Sequence, residues 1–172
     1  ETRTDNITWP GKDPDDYSTT IYPMGVSPNF ASLMKMEFAN GSNFTNTVAD
    51  SGYYLINEAA AKEMHLKNPV GTVIKLWGYP AMIKGVIKDF HNASFKSAIN
   101  PTLFYMYKYP GSGFFLYVKV SGKNIPHSVD VVKKVLQSTD AANPVEYTFL
   151  DDDFDKMYRR EMQTAAIFKF FA

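Results

Sequence analysis

The stretch "GVIKDFHNASFKSAINPTLF" (85–104) decides how the rest of the chain is read. It leaves an apolar strand through Lys88-Asp89-Phe90-His91, crosses a polar loop and restarts at Asn100-Pro101. Lysine, aspartate and histidine so close together at a strand end have the composition of a catalytic cluster. The flanking residues point instead to a structural role. Ile83, Val86 and Ile87 would enter a core, Phe90 would anchor the exit of the strand, and Pro101 would restart the extended chain. Asp89 is then placed to accept hydrogen bonds from backbone N–H groups of the following loop, as aspartate does in turns.

Upstream, "YYLINEAAAKEMHLKNPVG" (53–71) reads as a strand over 53–56, with Asn57 capping a helix that begins at Glu58-Ala59-Ala60-Ala61. Asn68-Pro69 stops it. "TVIKLWG" and "AMIKGVIKDF", joined at Gly78-Tyr79-Pro80, predict a hairpin. A second hairpin is expected where "TLFYMYKY" and "GFFLYVKVS" flank Pro110-Gly111-Ser112-Gly113. "NIPHSVDVVKKVLQSTDAANP" (124–144) predicts a helix capped by Asn124, with Pro126 in its first turn. Ile125, Val129, Val132 and Leu136 form one stripe, with Val135 beside it. "VEYTFL" reads as a strand, and "DDDFDKMYRREMQTAAIFKFFA" as a final helix opened by acids. Nearer the start, "WPGKDPDDYS" is turn-rich and "TTIYPMGVS" strand-like. "SPNFASLMKMEF" predicts a helix with Phe30, Leu33, Met34 and Phe38 on one face, and "ANGSNFTNTVADSG" a polar loop. Strands and helices thus alternate, and the fold class is α+β.

Lysine plus arginine balances aspartate plus glutamate at 18 each, which argues against a nucleic-acid partner. The absence of cysteine excludes disulfides, thiolate nucleophiles and cysteine metal sites. No apolar run is long enough to span a bilayer. The polar start and the apolar end "AAIFKFFA" read as the limits of a soluble piece of a larger protein.

No motif carries chemistry. His65, His91 and His127 lie in different elements without metal-type partners. Asp151, Asp152, Asp153 and Asp155 suit a helix start better than a cation site, because the glycine and distant glutamate of a calcium loop are missing. There is no nucleophile elbow and no phosphate loop. The residue patterns therefore imply no catalytic residue, no metal and no cofactor.

Taken in order, these segments resemble the extracytoplasmic core of MacB-like, FtsX-type ABC transporter permeases, especially Bacteroidetes-like members. The resemblance is carried by Leu55-Ile56-Asn57-Glu58-Ala59, by Asn68-Pro69-Val70-Gly71, and by Gly85-Val86-Ile87-Lys88-Asp89-Phe90-His91 followed by Pro101. "WPGK" (9–12) and the ending from "YTFLDDDF" onward fit as well. The chain departs from the pattern at Asn40-Gly41-Ser42-Asn43, where Gly-Arg is usual, and in lacking a further stretch that usually opens such ectodomains.

The resemblance implies a two-lobed periplasmic domain, with a β-rich, Sabre-like lobe inserted in an α/β porter-like lobe. Residues 1–20 would open the porter-like lobe, 21–107 would form the inserted lobe, and 108–172 would return towards a membrane helix. It further implies a non-catalytic part of a bacterial inner-membrane permease, on the periplasmic side. Its expected partners are a cytoplasmic ATPase domain or subunit, a periplasmic adaptor or lipoprotein, and a second copy as homodimer. Asn57, Gly71, Asp89, Phe90 and Pro101 are the structural motif, and Tyr107, Tyr109, Phe114 and Phe115 the expected partner contacts. An extracytoplasmic sensor that binds a small ligand is the competing reading. An enzyme built on Lys88, Asp89 and His91 is the third.

Overall fold

The computed structural model describes residues 3–45, 48–90, 98–106, 115–141 and 143–152. The chain divides into two compact units, residues 1–116 and 117–172. The first is built on one mixed sheet, in the strand order β1-β5-β6-β4-β7-β2, with β3 also paired to β6. These strands are β1 (Ile7–Thr8), β2 (Tyr22–Val26), β3 (Phe38–Gly41), β4 (Tyr53–Asn57), β5 (Val73–Leu76), β6 (Tyr79–Ile87) and β7 (Thr102–Met106). The helices α1 (Phe30–Leu33) and α2 (Glu58–Glu63) and a 3-10 turn (Val48–Gly52) lie between them.

Side chains alternate across a strand, so each central strand feeds two cores. Tyr54 and Ile56 of β4, Ile83 of β6 and Leu103 of β7 join one cluster, which Ala60 and Met64 from the α2 region complete. Leu55, Ile87 and Phe104 join the other, with Val26, Ala31 and Phe44. Burial on both faces explains why these segments read as unbroken apolar runs. β2 carries Pro23 and sits at the sheet edge, where a missing backbone N–H is tolerated.

β6 organises the sheet. Residues 79–82 pair with β5 and 85–87 with β3, both antiparallel, while β4 runs parallel to it. Opposite β4 the register passes from Tyr54↔Ile83 to Leu55↔Gly85, which leaves Lys84 as the extra residue of a bulge. There β3 crosses closely. A Cβ at Gly85 would lie 2.6 Å from the Ser42 carbonyl oxygen, and one at Gly41 would lie 2.2 Å from that of Lys84. Only glycine fits at either position.

Several expectations are corrected. The helix expected over 27–38 is one turn, Phe30–Leu33, because Lys35 turns left-handed (φ 55) and the Met36 N–H closes back on the Ala31 carbonyl. Phe38 lies in β3, within a segment expected to be helix and loop. The first hairpin turns at Trp77-Gly78, one step earlier than expected, with φ values of 52 and 83 that match the twist of the flanking strands. The second strand of the second hairpin enters no ladder among the described residues, its turn lying outside them. Both edges of β7 are occupied, by β4 and β2, so no edge is left for residues 115–121.

In the second unit, α3 (Ile125–Thr139) starts where expected. The His127 N–H donates to Asn124 Oδ1, and Pro126 sits in the first turn. Its stripe is half-covered at Val129, Val132 and Leu136, and no residue of the helix is buried. Residues 145–149, expected as a strand, enter no ladder among the described residues. Residues 150–152 are helical, with Asp151 and Asp152 exposed. The rest of the expected final helix, with Asp153 and Asp155, lies outside the described residues.

Candidate functional site

The exit of β6 meets the start of α2. Asp89 Oδ1 accepts from the Ala59 N–H at 2.8 Å, and the Asp89 N–H donates to Glu58 Oε2 at 2.9 Å. This is the reciprocal bonding of a capping box, made across some thirty residues rather than within one turn. Asp89 thereby serves the helix N-terminus, whose orphan N–H groups point at the strand exit because β4 delivers α2 beside β6, while the loop partners expected for it at 91–97 lie outside the described residues.

Asn57 completes the junction. Its buried amide oxygen accepts from the Ala60 N–H (3.0 Å) and the Thr102 N–H (2.8 Å), and its Nδ2 donates to the Asn100 carbonyl (2.9 Å). One side chain therefore caps α2 and fixes the entry to β7. The carbonyl of Pro101 accepts from the Tyr22 N–H at 2.8 Å, which extends the tie to β2. Phe90 packs half-buried against the second core, its ring 6.0 Å from Phe104. Gly71 lies apart from this junction. Its φ of 89 makes the turn before β5, and its N–H donates to the Ile83 carbonyl.

Lys88 is spent on the surface. Its Nζ lies 2.8 Å from Glu37 Oε2, with both side chains exposed. The hydrogen bond and then the charge of Glu37 hold the ammonium above its ordinary pKa, and Lys88 lowers that of Glu37 in the same way. A lysine so paired stays protonated at neutral pH and is no nucleophile. With Asp89 bonded to backbone, Lys88 and Asp89 do not face a common substrate position. His91 lies outside the described residues.

The other candidates are scattered. His65 is exposed, in the left-handed position that ends α2 (φ 52), and His127 belongs to the first turn of α3. Among the described residues no three metal-ligating side chains come together. Of the expected partner contacts, Phe115 is 82% exposed, and Tyr107, Tyr109 and Phe114 lie outside the described residues.

Sequence reasoning missed a buried ion pair. Lys84, turned by its bulge, donates to Asp50 Oδ1, and its ammonium lies 5.1 Å from the centre of the Tyr53 ring. Asp50 is 1% exposed and also accepts from the Thr45 hydroxyl at 2.9 Å. The available signal was a lone lysine inside an otherwise apolar strand.

The junction of Asn57, Glu58, Asp89 and Thr102 is the same set of segments that carries the family resemblance. A family model for the MacB-like periplasmic core domain matches residues 3–138. The chain belongs to that family. Three solved structures share its fold. The periplasmic region of MacB from Actinobacillus actinomycetemcomitans is 17% identical, with a TM-score of 0.55 over 77% of this chain and 61% of its own. A domain of a putative permease protein from Porphyromonas gingivalis is 15% identical, with a TM-score of 0.56 over 86% and 76%. The extracellular domain of the noncanonic ABC-type transporter YknZ from Gram-positive bacteria is 16% identical, with a TM-score of 0.54 over 73% and 67%. The chain thus spans less than two thirds of that MacB periplasmic region. No curated protein matches the sequence significantly. As a MacB-like periplasmic core domain the chain has the α+β fold of this family, whose solved members here come from transporters rather than catalytic proteins.

Proposed function

We propose that the chain is the non-catalytic extracytoplasmic domain of an ABC transporter permease, placed on the periplasmic side of a bacterial inner membrane. In this reading it couples ATP hydrolysis, by a cytoplasmic ATPase domain or subunit, to the handling of a periplasmic substrate or partner. The observation that carries the proposal is the double use of one motif series. Residues that carry the resemblance to the MacB-like family, within the segment its model matches, also bond α2, β6 and β7 into one junction. A domain that transmits motion needs such rigid joints more than it needs reactive groups.

The assignment of residues 21–107 to an inserted β-rich lobe, and of 1–20 and 108–172 to a porter-like lobe, belongs to this proposal. So do a periplasmic adaptor or lipoprotein and a homodimer as partners, and the contact role of Tyr107, Tyr109, Phe114 and Phe115. The test is ATP turnover by the reconstituted full-length permease with its ATPase. Deleting this domain should leave basal hydrolysis intact and abolish its response to the periplasmic partner or cargo. An unchanged response would overturn the coupling role. A small molecule raising the melting temperature by several degrees would move the reading to a ligand sensor.

A further inference from the structure

The geometry points to Asn40 as a site of spontaneous covalent modification, its side-chain amide held for attack by the backbone nitrogen of Gly41. The sequence contains one Asn-Gly pair, and this is it. Both residues lie at the end of β3 and are exposed. The Gly41 N–H donates to Asn40 Oδ1 at 2.7 Å, which sets that nitrogen beside Cγ, the carbon it must attack. Glycine is obligatory there, since its φ is 72 and a Cβ would run into the Lys84 carbonyl. The β3–β6 crossing therefore imposes the one following residue that puts no side chain in the way of ring closure.

The chemistry balances with water alone. A base takes the Gly41 amide proton, the nitrogen bonds to Asn40 Cγ, and ammonia leaves with the side-chain nitrogen and a proton from solvent. Water then opens the cyclic imide. Cleavage of its nitrogen–Cγ bond gives aspartate in an ordinary chain. Cleavage at the main-chain carbonyl gives isoaspartate, whose backbone runs through Cγ and is a methylene longer.

Asn43 shows what the site adds. The Phe44 N–H makes the same bond to Asn43 Oδ1, at 2.8 Å. Yet Asn43 Nδ2 is tied to the Ser32 hydroxyl at 3.2 Å, and Phe44 is buried in the second core. Closing a ring there would break a hydrogen bond and pull on a core residue. Asn68, Asn100 and Asn143 precede proline, which has no N–H to lose.

The isoaspartyl product would act on β6. On one side of Asn40 the Glu37 carbonyl accepts from the Lys88 N–H at 2.8 Å, and on the other the Ser42 N–H donates to the Lys84 carbonyl at 3.2 Å. A backbone lengthened between these two ties loses the register of one of them, so β3 lifts from β6. The strand exit that carries Asp89 then loosens, and the conversion marks the age of the folded domain.

The proposal is independent of the permease reading. Its test incubates the folded chain in mildly alkaline buffer, beside the same chain unfolded in guanidinium chloride, and maps peptides by mass spectrometry. Aspartate and isoaspartate should appear at position 40 of the folded chain at least about tenfold faster than at position 43. Asn40→Gln should leave this peptide unchanged, whereas a Gly41 variant would disturb the crossing itself. A folded chain that keeps its Asn40 amide while the unfolded chain loses it overturns the proposal, as does equal conversion at Asn43. The isoaspartyl form, isolated by ion exchange, should lose hydrogen-exchange protection at the amides of 38–41 and 85–87, while fresh Asn40→Asp retains it. Equal protection in the two would overturn the effect on β3. None of these failures touches the ATP-turnover test.

Discussion

Asp89 and Asn57 both cap α2, but their deletion should not cost the same. Asp89 is exposed, so Asp89→Ala loses one cap bond that water partly replaces, at about 1 kcal/mol. Asn57 is buried, and Asn57→Ala strands the Ala60 and Thr102 N–H groups at about 2–4 kcal/mol. Urea denaturation of the two variants checks the order. Asp16 gives a pH signature. Hydrogen bonds from the Ser18 and Thr19 hydroxyls and the Ser18 N–H hold its carboxyl well below the ordinary value of 3.8. A depressed carboxyl stabilises the fold above its unfolded pKa, and that contribution fades as pH falls through the folded value. The melting temperature should therefore fall less steeply below about pH 4 in Asp16→Asn than in the parent chain. The capping role of Asn57 was legible from its place before Glu58-Ala59-Ala60. The partner of Asp89 was not, because a hydrogen bond between positions 59 and 89 depends on how β4 and β6 pair, which no local pattern encodes.

At the scale of elements, the β3–β6 crossing and the bulge at Lys84 are the vulnerable points. Gly85→Ala would drive a Cβ into the Ser42 carbonyl and should cost at least about 2 kcal/mol. Gly71→Ala meets open space and should cost about 1 kcal/mol, for its positive φ alone. Thermal denaturation of the pair separates crowding from backbone strain. Lys84→Met leaves Asp50 buried without its cation and should cost about 3–5 kcal/mol, most of it recovered in the double variant with Asp50→Leu. If the double variant were no more stable than Lys84→Met, the pair would not be the unit described. The elements that were read well are those with strong local signals: β4, α2, α3 and the β5–β6 hairpin. β3 was hidden because Ala39-Asn40-Gly41 has turn composition and pairs only through a bulge. Residues 115–121 and 145–149 were read as strands because their composition suits a ladder, yet β7 has no free edge to offer the former. Strand propensity describes a surface that fits a sheet, while pairing decides whether a strand exists.

For the whole molecule, the α+β class and the family followed from the order of motifs, and the fold agrees with three solved transporter domains at 15–17% identity. What the motifs did not reveal is which partners their charged members take. Lys88 reaches β3's neighbour Glu37, and Asp89 holds α2, so these two members of the most reactive-looking stretch are structural. The account's central claim is extracytoplasmic placement in a permease, and topology tests it most directly. The chain has no cysteine, so Tyr79→Cys puts a thiol at an exposed hairpin residue. In full-length protein otherwise free of cysteine, a membrane-impermeant maleimide applied to intact spheroplasts should label it without lysis. Labelling only after the inner membrane is broken would contradict the account.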